Sequence, residues 1–373
     1  MKDVLGIIDV IRGEGELEIL TAQRSLAALP FGGRYRMIDF TLSQMVNSGI
    51  DSVGVFTESN CHSLMDHLRY AKDWDLHRRW GGLAIFPPDC LKYPFGLHRG
   101  SLEKLSPHVD YLRKDPKKLV LVAETNAIFS HKLEEAVTQH RESGADVTVL
   151  WANSTGETTS HMRNPYYKLS STGRVEEVQV TRVKPAPDYV RGTGVYILPK
   201  DLLLQFIEGC EAQGNTCLVR DGLARNTSEL HISSHEVKGY TAWIDNMASY
   251  YGANMDILKP HIRRELFFEN GPIHTKVKVE PPAKYFGQGE AHNSLVASGC
   301  LIQGKVENCI LFRGVRIEPG VHVKDSILMP KGVIEKNVVL EKAILDKAVT
   351  ITSGKQLKGE ASNPVVVAKN KVV

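Results

Sequence analysis

A six-residue aliphatic repeat constrains the C-terminal third of this chain more than any other feature of its sequence. Seven aliphatic residues follow one another at intervals of six: Val315, Val321, Ile327, Val333, Val339, Leu345 and Ile351. Glycine precedes three of them, at Gly314, Gly320 and Gly332. This period fits neither an α-helix nor a simple strand. It is typical of a triangular parallel β-helix, in which each hexad forms one side and three hexads form a coil. The run predicts a little over two coils, and residues 295–310 resemble an irregular preceding coil.

The rest of the chain has a different pattern, in which short apolar runs alternate with helical periods. Strands are predicted over 4–10, 52–57, 83–86, 119–123 and 146–151, with helices over 41–48, 102–112 and 132–143. This alternation favours a mostly parallel sheet with helices on both faces, whose ligands bind at the carboxyl ends of the strands. A proline-rich connector then predicts three parts: a domain over 1–260, a linker over 261–284 and a second domain over 285–373.

Composition excludes several classes of protein. The net charge of +3 is spread along 373 residues without a basic block, so nucleic acid and anionic membrane surfaces are not expected partners. No apolar run approaches the ~20 residues of a membrane span, and the N-terminus lacks the shape of a signal peptide. The six cysteines have no metal-ligand spacing. These features predict reduced thiols and a cytoplasmic location.

The segment "PFGGRYRMIDFTLSQMVNSGI" (30–50) resembles the signature of bacterial ADP-glucose pyrophosphorylases, the glucose-1-phosphate adenylyltransferases of glycogen synthesis. Further matching blocks run along nearly the whole chain, among them "SGIDSVGVFT" (48–57), "GGLAIFPP" (81–88), "RGTGVYIL" (191–198) and "VRIEPGVHVKDSILMP" (315–330). The resemblance implies an α/β fold, in which a Rossmann-like nucleotidyltransferase domain is followed by a C-terminal left-handed parallel β-helix of hexapeptide repeats. This combination agrees with the two periods described above.

The chain departs from this family where active members bind ATP. Their first strand leads into a Gly-Gly-x-Gly-x-Arg-Leu loop whose backbone amides hold the phosphates. The matching residues 11–17 read Ile-Arg-Gly-Glu-Gly-Glu-Leu, so Glu14 replaces a glycine and Glu16 replaces the arginine. A carboxylate in place of that cation repels a triphosphate by on the order of kcal/mol at short range. Leu26-Ala27 stands where the family has Lys-Pro.

The positions that hold Mg²⁺ in active members have also changed. By the resemblance, one metal-binding aspartate is matched by Asn126 and the other by Trp243. Asn offers only a neutral oxygen where a hard dication prefers a carboxylate. Asp245 lies two residues beyond Trp243, and a local shift of the chain could bring it into that place. No metal and no cofactor are therefore expected in this chain, and Mg²⁺ is expected in a catalytic partner.

The resemblance also identifies remnants of two other sites. Lys184 matches the lysine that meets the sugar phosphate, and Gly192, Gly194 and Tyr196 match residues of the sugar-phosphate pocket. Lys184 is equally compatible with a solvated surface lysine. Arg24 and Arg36 match two members of a basic cluster that binds anionic effectors at the domain junction. Ordinary surface or interface arginines are the alternative interpretation of that pair.

These features together favour a non-catalytic, regulatory subunit of the kind that some bacteria pair with their catalytic enzyme, the D-type subunit. It would form an α₂β₂ heterotetramer with a catalytic homologue and respond to a phosphorylated effector. Two alternatives are an active sugar-phosphate nucleotidyltransferase with an unusual site and a stand-alone sensor of sugar phosphates or nucleotides. An acyltransferase site on the β-helix, served by His292 or His322, is a further alternative.

Overall fold

The computed structural model describes residues 1–13, 15–88, 100–153, 160 and 162–373, except for the side chains of Glu16 and residues 210–213. Its N-terminal strands are β1 Val4–Asp9, β2 Pro30–Phe31, β3 Tyr35–Arg36, β4 Ser52–Phe56, β5 Gly82–Phe86, β6 Leu119–Glu124, β7 Ala127–Phe129, β8 Val147–Ala152, β9 Asn164–Leu169, β10 Val175–Thr181, β11 Tyr189–Pro199, β12 Ile232–Glu236 and β13 Thr241–Trp243. Its helices are α1 Glu18–Thr21, α2 Met37–Asn47, α3 His62–Leu68, α4 Ser101–Leu105, α5 Val109–Lys114, α6 Leu133–Ser143, α7 Lys200–Gln213, α8 Met247–Asp256 and α9 Pro260–Arg264.

Nine of these strands form one sheet, which is mixed rather than mostly parallel. Its main order is β10-β9-β11-β6-β1-β4-β5, and β8 joins β11 to β12. The pairs β1–β4, β1–β6, β4–β5 and β8–β12 are parallel. The half of the sheet around β11 is antiparallel, since β11 runs against β6, β8 and β9. The expectation of a mostly parallel sheet therefore holds for β6, β1, β4 and β5 and for the β8–β12 pair, but not for the strands next to β11.

Helices cover this sheet because its central strand is apolar on both faces. All six residues of β1 are buried, and they contribute to separate apolar clusters on the two sides of the sheet. The predicted helix over 102–112 is divided into α4, a 3₁₀ turn over Ser106–His108 and α5. Pro107 explains the division, because it has no backbone N–H to continue the helical ladder.

The C-terminal domain is a left-handed β-helix with more coils than the hexads predicted. Its strands are β14 Lys284–Tyr285, β15 Glu290–His292, β16 Leu295–Val296, β17 Leu301–Ile302, β18 Lys305–Glu307, β19 Ile310–Leu311, β20 Arg316–Ile317, β21 His322–Lys324, β22 Ile327–Leu328, β23 Val333–Ile334, β24 Val339–Glu341, β25 Ala343–Leu345, β26 Thr350–Ile351, β27 Gln356–Lys358 and β28 Val365–Val367. They form three parallel sheets of five strands each, so the described domain has five coils.

From β18 to β27, stacked residues of successive coils lie seventeen positions apart rather than eighteen. Ile317 stacks on Ile334, and Ile334 stacks on Ile351. The six-residue period consequently drifts by one position per coil. Val333 and Val339, two of the predicted inward residues, are only partly buried, while Ile334 is fully buried.

The two domains share an apolar core. Side chains of the first domain, such as Phe31, Phe40 and Ile257, belong to the same buried cluster as Ile310 and Phe312 of the β-helix. Residues 260–269 form α9 and a π-helical turn that packs Leu266 into this cluster. In the described part of the chain, no helix is long and apolar enough to cross a membrane.

Candidate functional site

The crevice at the carboxyl ends of β1, β4 and β6 contains a buried lysine from α4. The Lys104 ammonium lies 2.7 Å from Asp9 Oδ1 at the end of β1 and 2.6 Å from Glu58 Oε1, which follows β4. It also donates to the carbonyl oxygen of Val10. Three acceptors therefore satisfy all three donors of this side chain. Lys104 is held by the protein itself at the place where such folds bind their ligands.

The electrostatics of this network favour a charged lysine and a protonated Glu124. Burial acts to lower the pKa of Lys104, but the Asp9 and Glu58 carboxylates outweigh it, so the pKa is raised. Glu124, at the end of β6, is next to the same group. Burial and the charge of Asp9 raise the pKa of Glu124 to about 8. The one internal cation thus pairs with Asp9 and Glu58, and this network presents no free cation to an incoming phosphate.

The two residues that match the metal-binding aspartates lie side by side. Trp243 on β13 pairs with Ala127 on β7, and the carbonyl oxygen of the adjacent Asn126 accepts a hydrogen bond from Ile244 at 2.7 Å. The Trp243 indole is almost buried and donates its Nε1–H to the carbonyl oxygen of Gly192 at 2.9 Å. Asn126 Oδ1 is buried without a described partner. A large apolar ring therefore fills one of the two metal positions.

Asp245 does not take the place of the missing carboxylate. It is only 1% exposed, and its Oδ2 accepts a hydrogen bond from the guanidinium of Arg191, which is also buried. The same guanidinium lies 4.6 Å from the centre of the Trp243 ring. The donor set therefore does not fit Mg²⁺. Among the described residues, no group of three or more His, Cys, Asp or Glu side chains is arranged to hold a metal ion.

The predicted sugar-phosphate residues are only partly brought together. Gly192 lies against Tyr167, where an added Cβ would come within 2.8 Å of the tyrosine ring. Gly194 has a φ of +77°, and its Cβ would come within 2.9 Å of Glu124. Close packing and backbone geometry thus explain both glycines. Tyr196 is buried in the core on one face of the sheet, and burial raises the pKa of its hydroxyl. Lys184 lies apart on an exposed loop.

The loop that matches the ATP-binding segment is only partly described. Glu14 and the side chain of Glu16 lie outside the described residues. Arg12 is exposed and 3.9 Å from Glu18. Leu26 is fully buried in the core shared by the two domains, so the position of the family's lysine has become a packing position.

A second candidate site is a basic cleft of about 750 Å³ between the two domains. Ten lysine and arginine side chains contribute to its wall, with Glu280 as the acidic one: Arg24, Arg34, Arg36, Lys276, Lys278, Arg313, Arg316, Lys331, Lys347 and Lys369. Several of them have lowered pKa values. Burial and the neighbouring Arg313 and Arg36 lower the pKa of Lys278, and burial and Lys369 lower that of Lys347. The crowding of like charges favours binding of an anion in this cleft.

The two predicted effector residues, Arg24 and Arg36, both line this cleft. They differ in how many of their guanidinium donors are already used within the chain. Arg36 precedes α2, and its Nη1 donates to the carbonyl oxygen and hydroxyl of Ser63 at 2.6 and 3.0 Å. Burial and the neighbouring Arg24 lower its pKa, although the carboxylate of Asp39 opposes this. Arg24 is 6% exposed, and its Nη2 donates to both carboxylate oxygens of Asp346 at 2.7 Å. Arg24 is therefore not a surface arginine.

Comparison with known proteins places the chain in a family. A profile described as "Nucleotidyl transferase" matches residues 13–260, and one described as "GlmU-like, C-terminal hexapeptide" matches residues 281–363. The glycogen biosynthesis protein GlgD of Bacillus subtilis is 35% identical over 371 residues, which are 100% of this chain and 97% of that protein. The chain belongs to the family of GlgD proteins and glucose-1-phosphate adenylyltransferases.

Other relatives in the GlgD and glucose-1-phosphate adenylyltransferase family support the same assignment. The GlgD of Geobacillus stearothermophilus is 36% identical over 86% of this chain and 82% of its own length. A glucose-1-phosphate adenylyltransferase of Bacillus mycoides is 29% identical over 96% of each chain. The predicted resemblance to this family and its D-type member is confirmed, as is the combination of a nucleotidyltransferase domain and a β-helix.

Sequence reasoning missed the residues that fill the crevice. Lys104, Asp9, Glu58 and Arg191 were not among the predicted site residues. Two signals were available: Asp9 ends an otherwise apolar buried strand, and Lys104 lies between Leu102 and Leu105 on the apolar side of a short helix. A charge in such a position needs a buried partner, although the sequence alone does not show which one.

Proposed function

We propose that this chain is a regulatory subunit of ADP-glucose pyrophosphorylase that has lost nucleotidyl transfer and assembles with a catalytic homologue in glycogen biosynthesis. One observation carries the proposal. Asn126 and Trp243, which match the Mg²⁺ ligands of active members, lie together, and Asp245, two residues beyond Trp243, is already paired with Arg191. The names of the GlgD relatives, which describe glycogen biosynthesis proteins, agree with this role.

The loss of catalysis follows from the chemistry of the reaction. Transfer of a nucleotidyl group depends on neutralising and positioning phosphate charges. Here the crevice contains Asp9, Glu58 and Glu124, and its cation Lys104 is engaged by the first two. Among the described residues, a triphosphate entering the crevice would meet the Asp9 and Glu58 carboxylates, whose cation Lys104 is already engaged, and no metal-binding pair of carboxylates. Neither the metal nor the triphosphate would therefore be stabilised.

Regulation would act through assembly. The chain keeps both domains of its catalytic relatives over nearly their full length. A heterotetramer with a catalytic homologue would allow binding energy at the interface to favour the active conformation of that homologue. About 1.4 kcal/mol of preference for the active conformation would shift its population tenfold.

A phosphorylated effector is the proposed ligand of the basic cleft. Eight of its ten cations, all except Arg24 and Lys276, form no ion pair with any described residue. Arg36 already uses one nitrogen on Ser63 and keeps other donors for a phosphate oxygen. Arg24 has a different role, because its guanidinium is already paired with Asp346. This pair holds the two domains together at the wall of the cleft.

The test compares this chain alone, the catalytic homologue alone, and the mixture. Rates of ADP-glucose formation with ATP, glucose 1-phosphate and Mg²⁺ are measured beside the mass of each species in solution. The proposal predicts no activity of this chain and a changed rate or effector response of the mixture. Turnover by this chain alone would support an active nucleotidyltransferase instead. Phosphate binding without any interaction between the chains would support a stand-alone sensor.

A further inference from the structure

Helix α3 contacts both the side chain and the backbone of Arg36, one of the cations in the wall of the basic cleft. The guanidinium Nη1 donates to the carbonyl oxygen and hydroxyl of Ser63, in the first turn of α3, at 2.6 and 3.0 Å. The backbone N–H of Arg36 donates to Asp39 Oδ2 at 2.9 Å. Asp39 Oδ1 in turn lies 2.6 Å from Nε2 of His67, which is one helical turn after Ser63. These four residues form a closed ring of contacts between α3 and the start of α2.

His67 closes this ring inside the protein. Its side chain is 3% exposed, and that of Asp39 is 0% exposed. Because a carboxylate only accepts, the N–H on His67 Nε2 is the donor. His67 is the only described donor to Asp39 Oδ1, so its removal would leave a buried carboxylate oxygen unsatisfied. The imidazole also meets the buried ring of Trp74 edge-on, with ring centres 5.6 Å apart, and packing and hydrogen bonding together define its orientation.

Apolar packing alone does not define the position of α3. Leu64 and Leu68 pack into the core of the first domain, but hydrophobic contact is non-directional. The helix has only seven residues and ends at Arg69, whose φ of 40° lies outside the helical range. The hydrogen bond from His67 to Asp39 supplies a directional contact between α3 and α2. It thereby determines where Ser63 presents its two acceptors.

Arg36 needs this support because of the charges around it. Burial lowers its pKa and the neighbouring Arg24 adds to this, although the Asp39 carboxylate opposes it. A guanidinium near a like charge moves toward solvent unless it has fixed partners. An arginine that is free to rotate also loses side-chain entropy when it binds a ligand, and one that is already held loses less. The contacts with α3 therefore prepare Arg36 for an anion.

We infer that His67 is a positioning residue of the anion site in the basic cleft. Through Asp39 it fixes α3 against α2, and α3 then holds the guanidinium of Arg36 in the wall of the cleft. The imidazole acts through these contacts rather than through the ligand. This inference rests on the proposed function, because the ligand is the phosphorylated effector proposed for the cleft.

Calorimetric titration of the full chain with inorganic phosphate, at fixed ionic strength, tests the inference. His67→Leu removes the N–H that Asp39 accepts, and we expect phosphate affinity to fall about tenfold. His67→Gln places an amide N–H near the position of Nε2, so its affinity should stay within about twofold of that of the wild type. Equal losses in both variants would show that the hydrogen bond to Asp39 is not what positions Arg36, and would overturn the inference.

His140→Leu is the matched control for stability. His140 is also buried, at 5% exposure, and forms a hydrogen bond with Thr148 Oγ1 at 2.9 Å, but it lies on α6 and not in the wall of the cleft. This variant should bind phosphate as the wild type does, even where its free energy of unfolding falls as much as that of His67→Leu. A comparable loss of affinity in His140→Leu assigns the effect to lowered stability and overturns the inference.

A double-mutant cycle with Arg36→Ala separates positioning from a direct role in binding. If His67 acts through Arg36, His67→Leu should change phosphate affinity by less than about twofold in the Arg36→Ala background. An equal loss in both backgrounds overturns the inference. If His67→Leu does not fold, His67→Asn, whose amide is one bond shorter than that of glutamine, takes its place in the same cycle.

The titrations also distinguish this inference from the proposed function. A wild-type chain that binds phosphate with an affinity that His67→Leu leaves unchanged overturns the inference alone. A wild-type chain that binds no phosphate contradicts the effector proposed for the cleft, and the inference with it.

Discussion

Arg24 and Asp346 form a bidentate ion pair between the two domains, although 322 positions separate them in the sequence. Both side chains are almost fully buried, at 6% and 1% exposure. Arg24 also contributes to the wall of the basic cleft. The pair therefore connects the stability of the domain junction to the geometry of the proposed effector site.

Arg24→Ala should destabilise the chain by about 3–5 kcal/mol, because it leaves the Asp346 carboxylate buried without its partner. Denaturant unfolding of the isolated chain measures this change. Arg24→Met combined with Asp346→Leu should recover most of the loss, since an apolar pair avoids the uncompensated charge. Arg12→Ala is the control, because the Arg12–Glu18 pair is exposed and should contribute less than about 1 kcal/mol. A loss of under 1 kcal/mol in Arg24→Ala would show that the pair does not hold the junction.

Restoring the metal positions should not restore catalysis. Asn126→Asp, alone or with Trp243→Asp, supplies carboxylates, but Lys104 stays engaged by Asp9 and Glu58 and Glu16 still replaces the family's arginine. We expect no ADP-glucose from either variant under conditions where the catalytic homologue is active. Turnover approaching the ~10 s⁻¹ of a typical enzyme would show that the metal positions were the only defect.

The free energy of unfolding should decrease as pH rises, because of Glu124. Burial and Asp9 raise the pKa of this carboxyl from 4.5 to about 8, so the folded chain binds its proton more tightly than the unfolded chain. The stabilisation is complete below about pH 4.5 and decreases as pH rises toward 8. The free energy of unfolding of the wild type should therefore fall relative to that of Glu124→Gln by roughly 2 kcal/mol between pH 5 and 8. One group can change the free energy of unfolding by at most about 1.4 kcal/mol per pH unit. The expected total change between pH 5 and 8 is smaller than this limit allows, because part of the Glu124 side chain is exposed.

Glu142→Gln is the control for this series, since Glu142 is an exposed residue on α6 away from the crevice. Its unfolding free energy should follow that of the wild type across the same pH range. Parallel curves for the wild type and Glu124→Gln would mean that Glu124 titrates normally, and the crevice would then not hold it in its protonated form.

Arg36→Ala should weaken anion binding in the basic cleft without unfolding the chain. One charge-assisted hydrogen bond contributes about 1.5–3 kcal/mol, so affinity for a sugar bisphosphate should fall roughly 10- to 100-fold. Calorimetric titration at fixed ionic strength measures the change, with inorganic phosphate as a second probe. Arg12→Ala, outside the cleft, should bind as the wild type does. Unchanged affinity in Arg36→Ala would remove Arg36 from the proposed effector site.

The six-residue period predicted the β-helix correctly but not its coil length. Left-handed backbone marks the corners of the coils at seventeen-residue intervals, for example at Gly314, Lys331 and Ala348. Only the first of these is a glycine, and lysine or alanine does not signal a left-handed corner in a sequence. The stacking of coils stabilises these conformations, so the drift that exposes Val333 becomes visible only in three dimensions.

The residues of the candidate site that match a family pattern could be predicted from the sequence. The contacts that replace this pattern in the crevice could not. Asn126 and Trp243 were identified from their sequence blocks, and the structure places them side by side. The Lys104–Asp9 pair joins residues 95 positions apart, and no local pattern reports such a contact. The role of Arg191 likewise depends on its contact with Asp245. The sequence alone did not show this contact, so Asp245 remained a possible metal ligand.

Kinetic measurement on the reconstituted mixture, with the mass of the complex determined by light scattering in the same buffer, tests the regulatory role of this chain. We expect a heterotetramer in which this chain contributes no turnover of its own yet changes the rate or effector response of the catalytic homologue. Two chains that elute separately, or a mixture whose rate and effector curve equal those of the homologue alone, would contradict it.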